Sequence, residues 1–335
     1  MSKTSWLEFL ANAGARVEEG APLVFGSETD ESRLARDATI VSPLTHLSVV
    51  GFSRDDAKTY LHSLFTSDVE SLGANASQYS AWCSPKGRML ANFILYRDQG
   101  AYRALLSADL LARSIKRLRM YVLRSKVELS DESDAIVLVG VSGPDAPEAL
   151  RAAALPVPST GTAKFDGGTL IRLEDRRYIA ALEEIAAEEV WKKLAGKATP
   201  VGSSAWRWLD IRAGIPWITE ATEEKFVPQM LGFEKIGGVS FTKGCYPGQE
   251  VVARSQYLGR LKRHLTRLHS ETPARAGEAV FSAPEAACGT LVCVAPSPEG
   301  GFDALGVLLD EAAQAGGIRS ESGQVFDSVE ALPWL

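Results

Sequence analysis

The chain has 335 residues, of which 45% are hydrophobic and 23% are charged, which is the balance of a globular protein. Its length exceeds one ordinary hydrophobic core and predicts two or three domains. The net charge of −6 argues against a general nucleic-acid binder. No apolar run reaches the roughly 20 residues that cross a bilayer, and the first residues lack the pattern of a signal peptide, so we expect a cytoplasmic protein without a membrane partner.

The first half predicts strands and helices in alternation. A strand is predicted over 44–52, followed by a helix that Ser53 and Asp56 would begin as a capping box. Strands over 79–82 and 89–96 are joined by a turn over 84–87. A helix over 110–122, strands near 127 and over 136–141, and a short helix that Pro144 begins complete this part.

The second half becomes richer in strands. Residues 156–168 predict a long loop, followed by a strand pair and a helix that ends near 194. Residues 196–204 predict a linker to a helix that Ser204 caps and Gly214 ends. A short strand is predicted over 239–242, with a helix soon after 246–250. Beyond Lys262, short strands separated by Pro- and Gly-rich turns predict a small C-terminal β-barrel.

Several common sites are missing from the sequence. There is no P-loop, no dinucleotide-binding G-x-G-x-x-G and no G-x-S-x-G elbow. The four cysteines include no C-x-x-C, and Cys288 and Cys293 are five apart in a predicted strand, so they should point to opposite faces. The four histidines form no metal-binding pair. We therefore expect no protein-ligated metal.

Two basic stretches contain no acidic residue. One covers residues 113–126 with six Lys or Arg, and the other covers 251–270 with five. They either contact an anionic partner or form solvated faces of a helix and a strand.

The segment Lys243-Gly244-Cys245-Tyr246-Pro247-Gly248-Gln249-Glu250 contains the best candidate for chemistry. Gly244 lets the backbone turn beside the thiol. Lys243 and the start of the following helix would both favour the thiolate, because each places positive charge near the sulfur. Cys245 is then a nucleophile, a redox group or a transient ligand; the alternative is a small buried core residue. No histidine lies nearby in sequence to act as its base.

This segment resembles the K-G-C-[FYW]-x-G-Q-E signature of the YgfZ family, which is related to the glycine-cleavage T-protein. Further landmarks match at 66–69, 86–88, 125–127, 213–216, 226–229, 237–241, 252–254 and 262–263. The resemblance implies an α+β fold with three domains around a central folate site and a C-terminal β-barrel. The implied domains are a split folate-binding core over 1–130 and 204–255, a ferredoxin-like domain over 131–203, and the barrel over 256–335.

The resemblance also implies a ligand and site residues. Tetrahydrofolate or a folate derivative, including polyglutamylated forms, is the implied ligand, and either basic stretch could hold its anionic tail. Cys245 and Lys243 take the position of the reactive residues. A folate-contacting Trp falls on Trp206, whose ring could stack on a pterin or could instead be a core aromatic next to Leu209 and Ala213. The other implied folate contacts are Asn92, Tyr246, Gln249 and Arg254.

Two positions depart from the related proteins. The T-protein carries paired aspartates where this chain has Ala91 and Asn92, and neither residue can act as a general base. A second folate-contacting Trp of some YgfZ members falls near Leu44, which has no aromatic face.

Three functions follow. The first is a folate-binding accessory protein for iron–sulfur enzymes, including clients such as tRNA methylthiotransferases. The second is a folate-dependent aminomethyl or one-carbon transferase, against which Ala91 and Asn92 count. The third is an RNA-binding protein acting through the basic stretches, against which the pI of about 5.5 counts.

Overall fold

The computed structural model describes residues 3–17, 23–174, 176–257, 261–282 and 286–332. Within these ranges, no helix is both long and apolar enough to cross a membrane. The architecture is α+β, with three sheets and the helices packed between and around them. The helices are α1 (Lys3–Asn12), α2 (Glu28–Asp37), α3 (Ala57–Leu64), α4 (Leu111–Arg119), α5 (Ala146–Ala152), α6 (Glu184–Ala195), α7 (Ser203–Ala213), α8 (Gln249–Tyr257) and α9 (Asp310–Ala315).

The first sheet has five antiparallel strands in the order β3-β4-β5-β2-β6. Its strands are β2 (Leu47–Ser53), β3 (Ser77–Cys83), β4 (Met89–Asp98), β5 (Ala101–Ser107) and β6 (Glu128–Asp131). The prediction that Ser53 begins a helix is wrong: Ser53 ends β2, and α3 starts four residues later. Asp56 is the residue before α3, but its carboxylate accepts a hydrogen bond from Lys126 N at 2.6 Å instead of capping the helix.

The second sheet has six strands in the order β11-β1-β7-β10-β9-β8. They are β1 (Ile40–Pro43), β7 (Ile136–Ser142), β8 (Thr162–Phe165), β9 (Gly168–Arg172), β10 (Arg177–Glu183) and β11 (Thr199–Pro200). The chain's N-terminal part joins this sheet, because β1 pairs with β7 and Trp6 and Leu10 pack in its core. The division into a core over 1–130 and 204–255, a domain over 131–203 and a barrel over 256–335 stays a prediction.

The predicted loop over 156–168 contains β8, which pairs with β9 through the connection Asp166-Gly167. An Asp-Gly pair between two strands is a common hairpin connection, and the abundance of Pro and Gly before it obscured the strand. Residues 239–242, which were predicted as a strand, form no strand. Ser240 N donates to Thr66 O at 2.8 Å, but no ladder of backbone hydrogen bonds joins this segment to another described strand.

The third sheet has seven strands, ordered β17-β16-β13-β14-β15-β12-β18, and curls into a nearly closed barrel. Its strands are β12 (Arg263–Ser270), β13 (Ala279–Ser282), β14 (Ala286–Pro296), β15 (Phe302–Leu309), β16 (Ile318–Ser320), β17 (Val325–Phe326) and β18 (Ser328–Ala331). The predicted C-terminal barrel is confirmed, with the short helix α9 added.

Helix α7 lies at the centre, packed against β1, α2 and the barrel strands β14 and β15. It ends as predicted at Gly214, whose φ of 68° is left-handed and suits a residue without a side chain. Gly202 precedes the helix, and the predicted capping residue Ser204 lies inside its first turn. The Ser204 hydroxyl donates to Glu28 Oε1 at 2.6 Å. Side chains of α7 therefore reach the junction of the sheets.

Candidate functional site

A cavity of about 370 Å³ opens where α7, the first sheet and the barrel meet. This volume is in the range of small-molecule sites, which hold about 300 to 1,000 Å³. Its wall contains both apolar and polar residues. The lining residues are His46, Ser107, Ala108, Asp109, Arg207, Asp210, Ile215, Trp217, Thr219, Ala276, Val292, Cys293 and Val294.

Two polar side chains in this wall lack partners. Both ring nitrogens of His46 are buried without a hydrogen bond. Arg207 makes no hydrogen bond or ion pair with any residue that the structure describes. Buried polar groups are normally paired, because an unmade hydrogen bond costs about 1 to 3 kcal/mol, so the bare ring nitrogens of His46 are available to a ligand. Arg207 is exposed to solvent, and its guanidinium can contact an anionic group of a ligand in the cavity.

The protonation of these groups follows from their surroundings. Burial, and then the charge of Arg207, lower the pKa of His46 well below its usual value, so the imidazole is neutral near pH 7. Arg207 is accessible to solvent through the cavity, yet the surrounding protein lowers its pKa; Cys293, Asp109 and Asp210 oppose that effect. Burial also raises the pKa of the Cys293 thiol to about 12. The cavity thus presents one cation, one neutral imidazole and a protonated thiol.

Trp217 is the aromatic residue of the cavity, and buried polar contacts fix its position. Its indole Nε1 donates to Asp210 Oδ2 at 3.1 Å, and the other oxygen of Asp210 pairs with Arg177. The Arg177 guanidinium in turn lies over the Trp206 ring, 4.7 Å from its centroid. Arg177 and Asp210 therefore connect Trp206 to Trp217.

The predicted role of Trp206 changes accordingly. Trp206 is buried, does not line the cavity, and packs so closely on β7 that a Cβ on Gly140 would lie 2.4 Å from its ring. With Arg177 over its face, the ring has no room to stack on a pterin, so the core alternative describes it. It supports Arg177 from behind the cavity wall.

Asn92 has a similar supporting position. Its amide nitrogen donates to Pro216 O at 2.9 Å, and its oxygen accepts from Ile218 N at 2.7 Å. The side chain thus holds the backbone on both sides of Trp217, although Asn92 itself does not line the cavity. Both its polar atoms are occupied by backbone groups, which leaves none to assist proton transfer.

The thiol loop, residues 243–248, lies elsewhere, against the hairpin of β3 and β4. Gly248 has a φ of 82°, and a Cβ there would lie 2.4 Å from Ser84 O. Lys243 Nζ donates to His62 O and, at 2.5 Å, to Phe65 O, and it sits 5.2 Å from the centre of the Tyr246 ring. Burial lowers the pKa of Lys243 to about 8, against the effects of Asp68 and Glu70.

Cys245 is exposed in this loop, which excludes the alternative of a small buried core residue. Among the described residues, none hydrogen bonds to its thiol. The ammonium of Lys243 is bound to carbonyl oxygens, a contact that the sequence did not indicate. Tyr246 is buried beneath it, and burial raises the pKa of Tyr246.

The remaining predicted contacts do not meet at the cavity. Gln249 begins α8 and Arg254 is exposed on the same helix. In the basic stretch over 113–126, Arg113 and Arg117 form ion pairs with Glu223. Arg260 of the other stretch lies outside the described residues. No group of three His, Cys, Asp or Glu in the described part of the chain could hold a metal ion.

The cavity residues His46, Arg207, Trp217 and Cys293 were not predicted from the sequence as site residues. Trp217 directly follows the landmark at 213–216 and Arg207 directly follows Trp206, so their positions beside these landmarks could have indicated them. Cys293 lines the cavity while Cys288 lies in the barrel core, and a β-bulge interrupts β14 between Leu291 and Cys293. His46 has no motif around it in the sequence, because a single histidine without a nearby partner occurs in many kinds of environment.

Comparisons with known proteins agree with this architecture. Residues 18–166 match the family of the GCVT N-terminal domain. The glycine cleavage system aminomethyltransferase T of Bartonella henselae shares the fold, with a TM-score of 0.79, 18% identity, and coverage of 98% of this chain and 97% of that one.

Relatives in sequence include two proteins named tRNA-modifying protein YgfZ. The protein of Yersinia pseudotuberculosis serotype IB (strain PB1/+) is 36% identical over 233 residues, which are 67% of this chain and 70% of the relative. The protein of Enterobacter sp. (strain 638) is 34% identical over 232 residues, which are 67% and 71%. The chain belongs to the YgfZ family.

Proposed function

We propose that this protein binds tetrahydrofolate in the cavity beside Trp217 and supports iron–sulfur enzymes that modify tRNA, with Cys245 as its reactive side chain. The single observation that carries the folate part is the imidazole of His46, whose two buried ring nitrogens lack hydrogen bonds, in a cavity that Arg207 and Trp217 also line. The tRNA part is supported by the name of its relatives.

The cavity residues fit the chemistry of a folate. A pterin is flat, apolar on its faces and rich in hydrogen-bonding groups at its edge. Trp217, Ile215 and Val292 supply apolar surface, while the neutral imidazole of His46 supplies one donor and one acceptor. Arg207 offers an unpaired guanidinium for a carboxylate of the glutamate part, a contact that is stronger than a neutral hydrogen bond.

The alternative of an aminomethyl or one-carbon transferase finds less support. The position of the catalytic aspartates holds Ala91 and Asn92, and both polar atoms of Asn92 are bonded to backbone. The cavity wall does contain Asp109, but one of its oxygens accepts from Glu220 N at 2.9 Å. We therefore propose a binding role for folate here, without transfer chemistry.

The functional test is made in cells. In a bacterial strain without its own YgfZ, this chain should restore methylthiolation of tRNA, which mass spectrometry of tRNA nucleosides measures. Cys245→Ala and Trp217→Ala should each lose most of the restoration, while a surface variant such as Lys192→Ala should retain it. If the wild-type chain is produced but restores nothing, or if Cys245→Ala restores fully, the proposed accessory role is wrong.

A further inference from the structure

The thiol loop has a titratable neighbour that is remote in sequence. His62 lies in the last turn of α3, and its Nε2 is 3.8 Å from where a Cβ would stand on Gly244. Gly244 directly precedes Cys245, and consecutive Cα atoms are about 3.8 Å apart. The fold therefore brings an imidazole beside the backbone that carries the thiol.

The other side of this imidazole faces a carboxylate. His62 Nδ1 is buried and lies 3.3 Å from Asp68 Oδ1, at ion-pair distance but without the alignment of a hydrogen bond. That same oxygen accepts from Glu70 N at 3.0 Å and from Ser71 N at 3.3 Å, so the local backbone fixes it in place. A carboxylate at Nδ1 favours the tautomer with its proton there, which leaves Nε2 free to accept one.

Lys243 links the imidazole and the thiol loop mechanically. Its ammonium binds the carbonyl oxygens of His62 and Phe65 at the end of α3, where helix carbonyls lack partners. The helix that carries His62 is thus tied to the residue two places before Cys245. Movement of the loop away from the histidine would break these two hydrogen bonds.

We propose that His62, oriented by Asp68, is the proton acceptor of Cys245, directly or through one water. The proton passes from Sγ to Nε2 and gives a thiolate beside an imidazolium, with no transfer of electrons. The thiolate is the nucleophilic form of cysteine. This deepens the part of the proposed function that rests on Cys245 and does not depend on the folate cavity.

Other charged and titratable groups around this pair also affect whether the thiol loses its proton. Lys243 is cationic below about pH 8 and favours the thiolate, while Asp68 and Glu70 carry negative charge nearby. Cys83 lies close to Tyr246, and burial raises the pKa of Cys83 to about 12, so it does not compete as a nucleophile near neutral pH.

The test is the pH dependence of Cys245 alkylation by iodoacetamide, on the native full-length protein between pH 5.5 and 9.5. Mass spectrometry of the Cys245 peptide gives the rate, with denatured protein as the reference. In the wild type at pH 7 we expect Cys245 to be alkylated faster than in denatured protein. His62→Gln should slow alkylation at pH 7 about tenfold and move the midpoint upward, and Asp68→Asn should have a smaller effect in the same direction.

A matched control uses another histidine beside a carboxylate. His264 Nδ1 is 2.6 Å from Asp310 Oδ1 in the barrel, so His264→Gln should leave the alkylation profile unchanged. Thermal unfolding checks each fold, and His62→Asn replaces His62→Gln if the latter is unstable. A His62→Gln profile that superimposes on the wild type overturns the proposal, as does wild-type alkylation at pH 7 that is no faster than in denatured protein. Folate binding, measured separately, tests the cavity regardless of either result.

Discussion

The cavity and the thiol loop are held in place by different forces. Around the cavity, side chains fix one another: Asn92 holds the backbone beside Trp217, and Arg177 and Asp210 hold its indole. In the thiol loop, backbone geometry contributes in addition to the hydrogen bonds of Lys243, because Gly248 has a left-handed conformation against the hairpin. We expect the cavity to be sensitive to loss of polar side chains and the loop to be sensitive to addition of a Cβ.

The largest effect should come from Gly248→Ala. A Cβ there meets Ser84 O at 2.4 Å and the φ of 82° is unfavourable for alanine, so we expect a loss of about 3 kcal/mol in the free energy of unfolding. Urea denaturation measures this loss. Gly237→Ala is the matched control, since its φ is also positive but nothing lies within 4 Å. It should lose about 1 kcal/mol; equal losses would mean that packing against the hairpin contributes nothing.

The next effect should come from Asn92→Ala. This variant leaves the buried Pro216 carbonyl and Ile218 N–H without their partner, at a cost of about 2 kcal/mol. Folate binding should weaken as well, because Trp217 lies between those two residues. The rate of Cys245 alkylation should not change. Urea denaturation, equilibrium dialysis and alkylation provide the three readings, and altered alkylation would show that the two regions are coupled.

Arg207→Met tests the cavity's unpaired cation. If Arg207 binds a folate carboxylate, its loss should weaken tetrahydrofolate binding about tenfold, equal to about 1.4 kcal/mol. Stability should hardly change, because Arg207 forms no ion pair among the described residues. Arg212→Met is the control on the same helix, where Arg212 stacks on Trp208 outside this cavity. Equal weakening of folate binding in both variants would mean that Arg207 does not contact the folate.

The smallest effect concerns pH and the cavity thiol. The pKa of Cys293 rises from 9.0 in the unfolded chain to about 12 in the fold, so the unfolded state releases its proton first as pH increases. Its contribution to stability is complete below pH 9 and is lost between pH 9 and about 12. At pH 10 the loss in the free energy of unfolding is about 1 kcal/mol.

Urea denaturation at pH 8, 9 and 10 checks this loss. Cys293→Ala should flatten the decline in stability, although Cys83 contributes a decline of its own because its pKa is also raised. A decline that is unchanged in Cys293→Ala would mean that the cavity does not bury Cys293.

The two regions also differ in how far the sequence predicted them. The thiol loop is a contiguous motif, so the exposed candidate Cys245 and its neighbour Lys243 were found directly. The cavity is assembled from segments far apart in the chain, and only the supporting residues Asn92 and Trp206 were named. The face of α7 that lines the cavity is determined by how the helix packs against two sheets. The hydrophobic periodicity of the helix alone does not predict this face. His62 is likewise brought to Gly244 by tertiary structure alone.

Equilibrium dialysis with tetrahydrofolate, without oxygen, on the wild type, Trp217→Leu and Cys245→Ser tests whether folate binds beside Trp217. We expect saturable binding to the wild type, affinity reduced at least tenfold in Trp217→Leu, and unchanged affinity in Cys245→Ser. Absence of binding at near-millimolar tetrahydrofolate, or equal weakening in both variants, would contradict a folate cavity that is separate from the thiol loop.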